Sequence, residues 1–297
     1  MSSDDFGFPY LDRAGLAAAR LAARPGRAVW LAFAAAMILA WGGIAMLALR
    51  AAEIRQPGAG LAGDGLLRHV APGSMLSFLD SFVALCLTPA VAPGSGPAQF
   101  MVATAMWFLM AVAMMLPSAA PMIKTYCEIA DTAAGKGETA VHPLVLVAGY
   151  LSVWLAASIG FAALDLAFRA LFSAEPFAVA SPFVAAVLLG IAGLYQFSAL
   201  KEACLKKCRM PFPILFSRWS TRPAAIFRLG VDEGLWCFGC CWALMLVMFC
   251  VGVMNIFWMV LLALVAVVEK QMPGRLVGGL AGTILLVWAG ALLFTAA

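Results

Sequence analysis

Long apolar runs broken by short polar segments dominate the chain, and their lengths predict transmembrane helices rather than a water-facing core. Seven runs stand out, at roughly 28–49, 99–123, 143–167, 182–200, 233–251, 255–270 and 276–295. Only Gly252, Val253, Met254 and Asn255 part the fifth from the sixth, which predicts a tight helical hairpin. Residues 75–88 are apolar but too short to span, and read as an interfacial or re-entrant helix inside a long loop. The expected fold class is all-α, a polytopic transmembrane helix bundle of about seven spans. Its parts would be a basic N-terminal segment, 1–27, then a first span with an outer loop, 28–98. The main bundle, 99–297, would follow, with a Cys-rich connection at 201–232.

The polar positions orient the bundle. With the N-terminus in the cytoplasm, the inner segments carry 15 of the 19 Lys and Arg residues, among them Arg13, Arg20, Lys124, Lys201, Arg218 and Arg275. The outer segments carry four, Arg50, Arg55, Arg68 and Arg169. Basic residues collect on the cytoplasmic side, so the expected topology is N-in, C-out. An eighth span at 75–88 would reverse most of the later charges. Composition agrees: 64% of the 297 residues are hydrophobic and 11% charged, far from the roughly 25% charged of soluble domains. The net charge of +4 comes from loops beside spans, so no nucleic-acid partner is expected. The polar and basic segment before Ala28 does not look like a cleavable signal sequence. No Walker loop, dinucleotide fingerprint, HExxH motif or GxSxG elbow occurs, which gives no case for a hydrolase or a nucleotide-driven pump.

Against this background the cysteines change the picture. Cys204 and Cys208 follow the fourth span in Lys-Glu-Ala-Cys-Leu-Lys-Lys-Cys-Arg. On a helix continuing from that span, their four-residue spacing puts both on one face. Lys201, Lys206, Lys207 and Arg209 surround them and favour the thiolate that metals need. Cys237 and Cys241 repeat the spacing at the mouth of the fifth span, with Cys240 beside them, and Cys127 lies at the end of the second span. All six fall on the cytoplasmic side, where structural disulfides are not expected. Cys86 and Cys250 fall toward the other face and read as small apolar packing residues. With two histidines in the chain, His69 and His142, an imidazole-built zinc or Cu(II) site is not available. Thiolates and thioethers favour Cu(I), with Zn second.

Methionines supply a softer set. Met106, Met110 and Met114 share a drifting face of the second span, and Met245, Met248, Met254 and Met259 follow the fifth-span cysteines. They fit either a thioether ladder for Cu(I) or plain gap-filling. Asp165 and Arg169 are spaced for an ion pair. Asp232 and Glu233, placed at the start of the fifth span, read first as helix N-terminal charges. Pro117 and Pro121 should kink the second span, and Ser118, Ala119 and Ala120 would let a neighbour come close. Residues 209–230 mix aromatics with Arg218, Arg222 and Arg228, as a segment lying along an anionic membrane surface does.

Several of these motifs together resemble a known family. They are Met-Met-Leu-Pro-Ser-Ala-Ala-Pro-Met122 after Trp107, Gly149-Tyr150 with Trp154, and Gly193-Leu-Tyr-Gln followed by the Cys204/Cys208 motif. Gly-Leu-Trp-Cys-Phe-Gly-Cys-Cys-Trp-Ala-Leu-Met245, Val253-Met-Asn255 and Glu269-Lys270 complete them. The chain, over about residues 99–290, resembles a bacterial domain-of-unknown-function family of predicted metal-binding integral membrane proteins, often called copper chaperones. The resemblance implies a multi-pass protein of the bacterial inner membrane. It implies a metal site of Cys204, Cys208, Cys237, Cys240 and Cys241, to which the residues themselves add Cys127, Met110, Met114 and Met245 as outlying candidates. Trp236 stands where the family pattern has Tyr, which removes a phenol from the expected site. The expected function is Cu(I) binding and delivery, with no catalytic residues, in contact with the lipid bilayer and with a copper-accepting protein or partner membrane subunit. A membrane oxidoreductase or its copper-dependent subunit, and a purely structural membrane subunit, are the alternatives.

Overall fold

A computed structural model describes residues 25–54, 96–172, 181–252 and 255–296. The predicted helix at 75–88, His69 and Cys86 lie outside the described residues. These residues form nine α-helices and no strand. In chain order they are α1 (Pro25–Ile54), α2 (Gly96–Gly135), α3 (Pro143–Phe172), α4 (Pro182–Gln196), α5 (Ala199–Arg209), α6 (Pro211–Ser217), α7 (Pro223–Val251), α8 (Ile256–Gln271) and α9 (Leu276–Ala296).

Five of these, α1, α2, α3, α7 and α9, are long and apolar enough to cross a membrane. The predicted fourth span is broken. It stops at Gln196, and α5 sets off again at 61° to α4. The restart has a local cause: Ser198 caps α5 by accepting a hydrogen bond from Lys201 N at 3.1 Å. Counting the bent pair as one crossing makes six. The predicted run 255–270 forms α8, but its 16 residues rise only about 24 Å, short of a hydrocarbon core of about 30 Å. Gly252, at φ 92°, turns the chain out of α7, and Asn255 caps α8.

Two predicted boundaries need correction. The fifth-span helix begins at Pro223, so residues 223–230 are its first turns and only α6 remains a separate surface helix. Asp232 and Glu233 are therefore in its third turn and cap nothing. The second span runs unbroken through Pro117 and Pro121 to Gly135.

Helix α7 is the axis of the molecule. Of its membrane window 72% is buried, against 17% for α1 and for α9, and it packs on α3, α4, α5 and α8. Its contact with α3 is close because glycines face each other. A Cβ on Gly149 would overlap Phe227 O, and one on Gly230 would overlap Leu146 O. Small residues at such crossings let backbones touch where lipid supplies no hydrophobic drive. Trp107 lies at the core, stacked between Phe161 and Phe249.

Candidate metal centre

One stripe of α7 carries the chemistry. Glu233, Cys237, Cys241 and Met245 recur every four residues, so they share a face, and all are buried. Cys240 lies beside them. The sulfurs of Cys237, Cys240 and Cys241 all fall within 4.8 Å of one another, and those of Cys240 and Cys241 are 3.2 Å apart. The Cys240 thiol also donates to Cys237 O at 3.1 Å. Seven cysteines are described, all as free thiols.

The α5 arm brings the other pair to this point. Gly239 exposes α7 backbone to Cys204, whose Sγ lies 2.6 Å from where a Cβ on that glycine would stand. A side chain at this position would have to displace the Cys204 sulfur. Half-buried Cys208 interacts with the Cys240 thiol. Tyr195 at the end of α4 closes the arrangement, donating to Gly239 O at 2.5 Å and packing edge-on against Trp242. Cys237, Cys240 and Cys241 thus form the cluster, Cys208 reaches Cys240 from the α5 arm, and Cys204 lies against the α7 backbone at Gly239.

Two residues at the thiols, and a third behind them, come from elsewhere in the chain. Lys270 of α8 donates to Cys237 Sγ at 3.1 Å and to Ser118 Oγ at 2.7 Å. The Tyr150 hydroxyl of α3 lies 3.0 Å from Cys237 Sγ and donates to Met115 O at 3.1 Å. Ser118 passes the network on to Met115 O at 2.7 Å. Tyr150 supplies the phenol whose loss the Trp236 departure suggested, whereas Trp236 faces outward. Gly149-Tyr150 already stood out in the sequence, but nothing local there tied it to Cys237. Glu269-Lys270, at the cytoplasmic end of the sixth apolar run, is a position expected to contact the cysteine cluster, and Lys270 does. Ser118 was read as a spacer, and it is a hydrogen-bond acceptor.

The countercharge also differs from expectation. Lys201, buried at 2% exposure, is held by both Glu269 oxygens at 2.8 Å and by Gln196 Oε1. Arg209 grips Glu269 O and Gly274 O at 2.8 Å. Neither serves the thiols, and the cation that does is Lys270.

The remaining candidates are scattered. Cys127 faces the start of α1, next to Gly26 and Asp131. Cys250 donates to Ala185 O at 3.6 Å, a packing contact. Met106, Met110, Met114, Met115, Met245, Met248 and Met259 are buried. Met254 and the Arg169 side chain lie outside the described residues. His142 is exposed at the start of α3 and accepts from Leu144 N.

Chemically, a thiol cluster with a fixed ammonium, a phenol and, among the described residues, no imidazole suits a soft, low-coordinate cation. Comparison with known proteins points the same way. A family model described as "Copper chaperone" matches residues 104–292, well over half of the chain. No curated protein and no solved structure matches it.

Proposed function

The chain belongs to the copper chaperone family, and from that premise we propose that it is a multi-pass protein of the bacterial inner membrane that binds Cu(I) and passes it on. One observation carries the reading: three free thiols within 4.8 Å of one another, buried on the central helix. A buried trio of this kind offers the two or three thiolates that Cu(I) prefers. Lys270 supplies a positive charge against the negative one that thiolates bring into a low-dielectric site. Half-buried Cys208, on the α5 arm beyond the last turn of α4, is the exchange ligand that meets a donor or acceptor protein at the cytoplasmic end, with buried Cys204 behind it. Buried thioethers of α2 and α7, Met110, Met114 and Met245, extend the soft surface away from the thiols.

The test is elemental analysis of the detergent-purified protein from copper-grown cells, beside a Cys237→Ser/Cys240→Ser/Cys241→Ser variant. Wild type should carry about one copper or more per chain and the variant none. Equal metal in both preparations contradicts the reading.

A further inference from the structure

Glu233 is 4% exposed, and its Oε1 has no hydrogen-bond partner among the described residues. A buried acceptor left unmade is costly, and in a native protein it calls for a reason. Its position supplies one. Glu233 lies one helical turn before Cys237 on the same face of α7, within electrostatic reach of both Cys237 and Lys270. Asp232, its neighbour, is engaged outward by Arg218, so the orphaned oxygen belongs to the interior.

The lysine between them has a conflict to resolve. Lys270 donates to Cys237 Sγ and Ser118 Oγ. When Cys237 coordinates a metal, its sulfur directs a lone pair at the ion, and the metal cation and the ammonium repel each other across one sulfur. Lys270 would then be a buried ammonium short of one partner, beside a carboxylate oxygen also short of one.

We infer that Lys270 hands its hydrogen bond from Cys237 to Glu233 as Cu(I) binds, so that Glu233 is the positioning residue of the loaded centre. Ser118 holds the ammonium throughout and acts as the pivot. One N–H···S contact and the Cys237 S–H bond break, one Cu–S bond and one N–H···O contact form, the thiol proton is released to water as the ion is taken up, and no electron changes owner. The same exchange runs backward on release, when Lys270 returns to the sulfur and competes with the departing ion. The empty and loaded states thus each satisfy the lysine, and only the loaded one satisfies the glutamate.

This inference rests on the Cu(I) reading, and the experiment separates the two. Full-length protein in detergent is titrated with Cu(I) against a chromophoric Cu(I) chelator, for wild type, Glu233→Gln, Lys270→Met and the double variant. Glu233→Gln should weaken Cu(I) at least about tenfold with the copper-to-protein ratio unchanged. Adding it to Lys270→Met should cost almost nothing further, because the two act through one contact. A second readout needs no variant: the infrared difference between Cu(I)-loaded and metal-free wild type should contain a carboxylate band. Wild-type affinity in Glu233→Gln, or a loaded-minus-empty spectrum without carboxylate change, overturns the exchange while leaving the Cu(I) site standing. Failure of wild type to bind Cu(I) overturns both.

Discussion

Lys201 and Lys270 are both buried lysines at one end of the bundle, yet their surroundings are opposites. Lys201 meets the two oxygens of Glu269 and the amide oxygen of Gln196, all hard acceptors. Its helix is fastened further by Arg209 on the carbonyl of that same Glu269. Lys270, the very next residue after Glu269, meets a sulfur and a hydroxyl, with an orphaned carboxylate oxygen nearby. The first cluster is closed in its charges, only the neutral Gln196 Nε2 lacking a partner among the described residues, and the second is open. A closed buried ion pair fixes geometry, here the seat of the α5 arm against α8. An open one keeps a partner free for something that arrives. Buried charge is a sign of function only where its pairing is incomplete.

That contrast can be broken at several points. The largest effect is expected at the open cluster, where replacing Cys237, Cys240 and Cys241 with Ser should abolish metal binding. Circular dichroism of that variant should remain that of the wild type, since Ser occupies nearly the same volume in each site.

At the closed cluster the loss should be one of stability. Lys201→Met strands a buried Glu269 carboxylate, for which a cost of about 3–5 kcal/mol is expected. Thermal unfolding in detergent would report it. The double variant Lys201→Met/Glu269→Leu should recover most of the loss, because a pair removed together leaves no unpaired charge. A single variant as stable as wild type would mean that this cluster fastens nothing.

Smaller effects sharpen the comparison. Tyr150→Phe removes a neutral hydroxyl at Cys237 and should weaken Cu(I) by about 1 kcal/mol, several-fold in a chelator competition. Protons compete with metal for thiolates. Cu(I) affinity should therefore fall steadily as pH is lowered from 8 to 6, the sign opposite to that of a site built on protonated donors. The smallest change belongs to Cys250→Ser, remote from the cluster at its contact with Ala185. It should leave copper content unaltered, and a loss there would show that cysteine replacement in general perturbs the bundle.

How far the sequence anticipated this arrangement depends on the range of each signal. Hydropathy is local, so α1, α2, α3, α7 and α9 were legible as apolar runs. The four-residue spacing of Cys237 and Cys241 is local too, and α7 does place those sulfurs together with Cys240. The break between α4 and α5 was missed because Ser198 as a cap is a subtle signal inside an apolar-to-basic transition. The true start of α7 was hidden by the arginines and aromatics of 209–230, which mimic a surface segment. Charges misled most. Lys201 and Arg209 sit near Cys204 and Cys208 in sequence but are spent on Glu269, whereas Lys270 and Tyr150 reach Cys237 from two other helices and Ser118 reaches it only through Lys270. Spacing along one helix says which side chains share a face, but not which helix that face will meet.

The central claim is that the thiols of α7 hold Cu(I), and X-ray absorption at the copper edge of the loaded, purified protein tests it most directly. The account predicts a Cu(I) edge and a first shell of two or three sulfur neighbours, lost in the triple serine variant. A shell dominated by nitrogen or oxygen, or one unchanged in that variant, would contradict it.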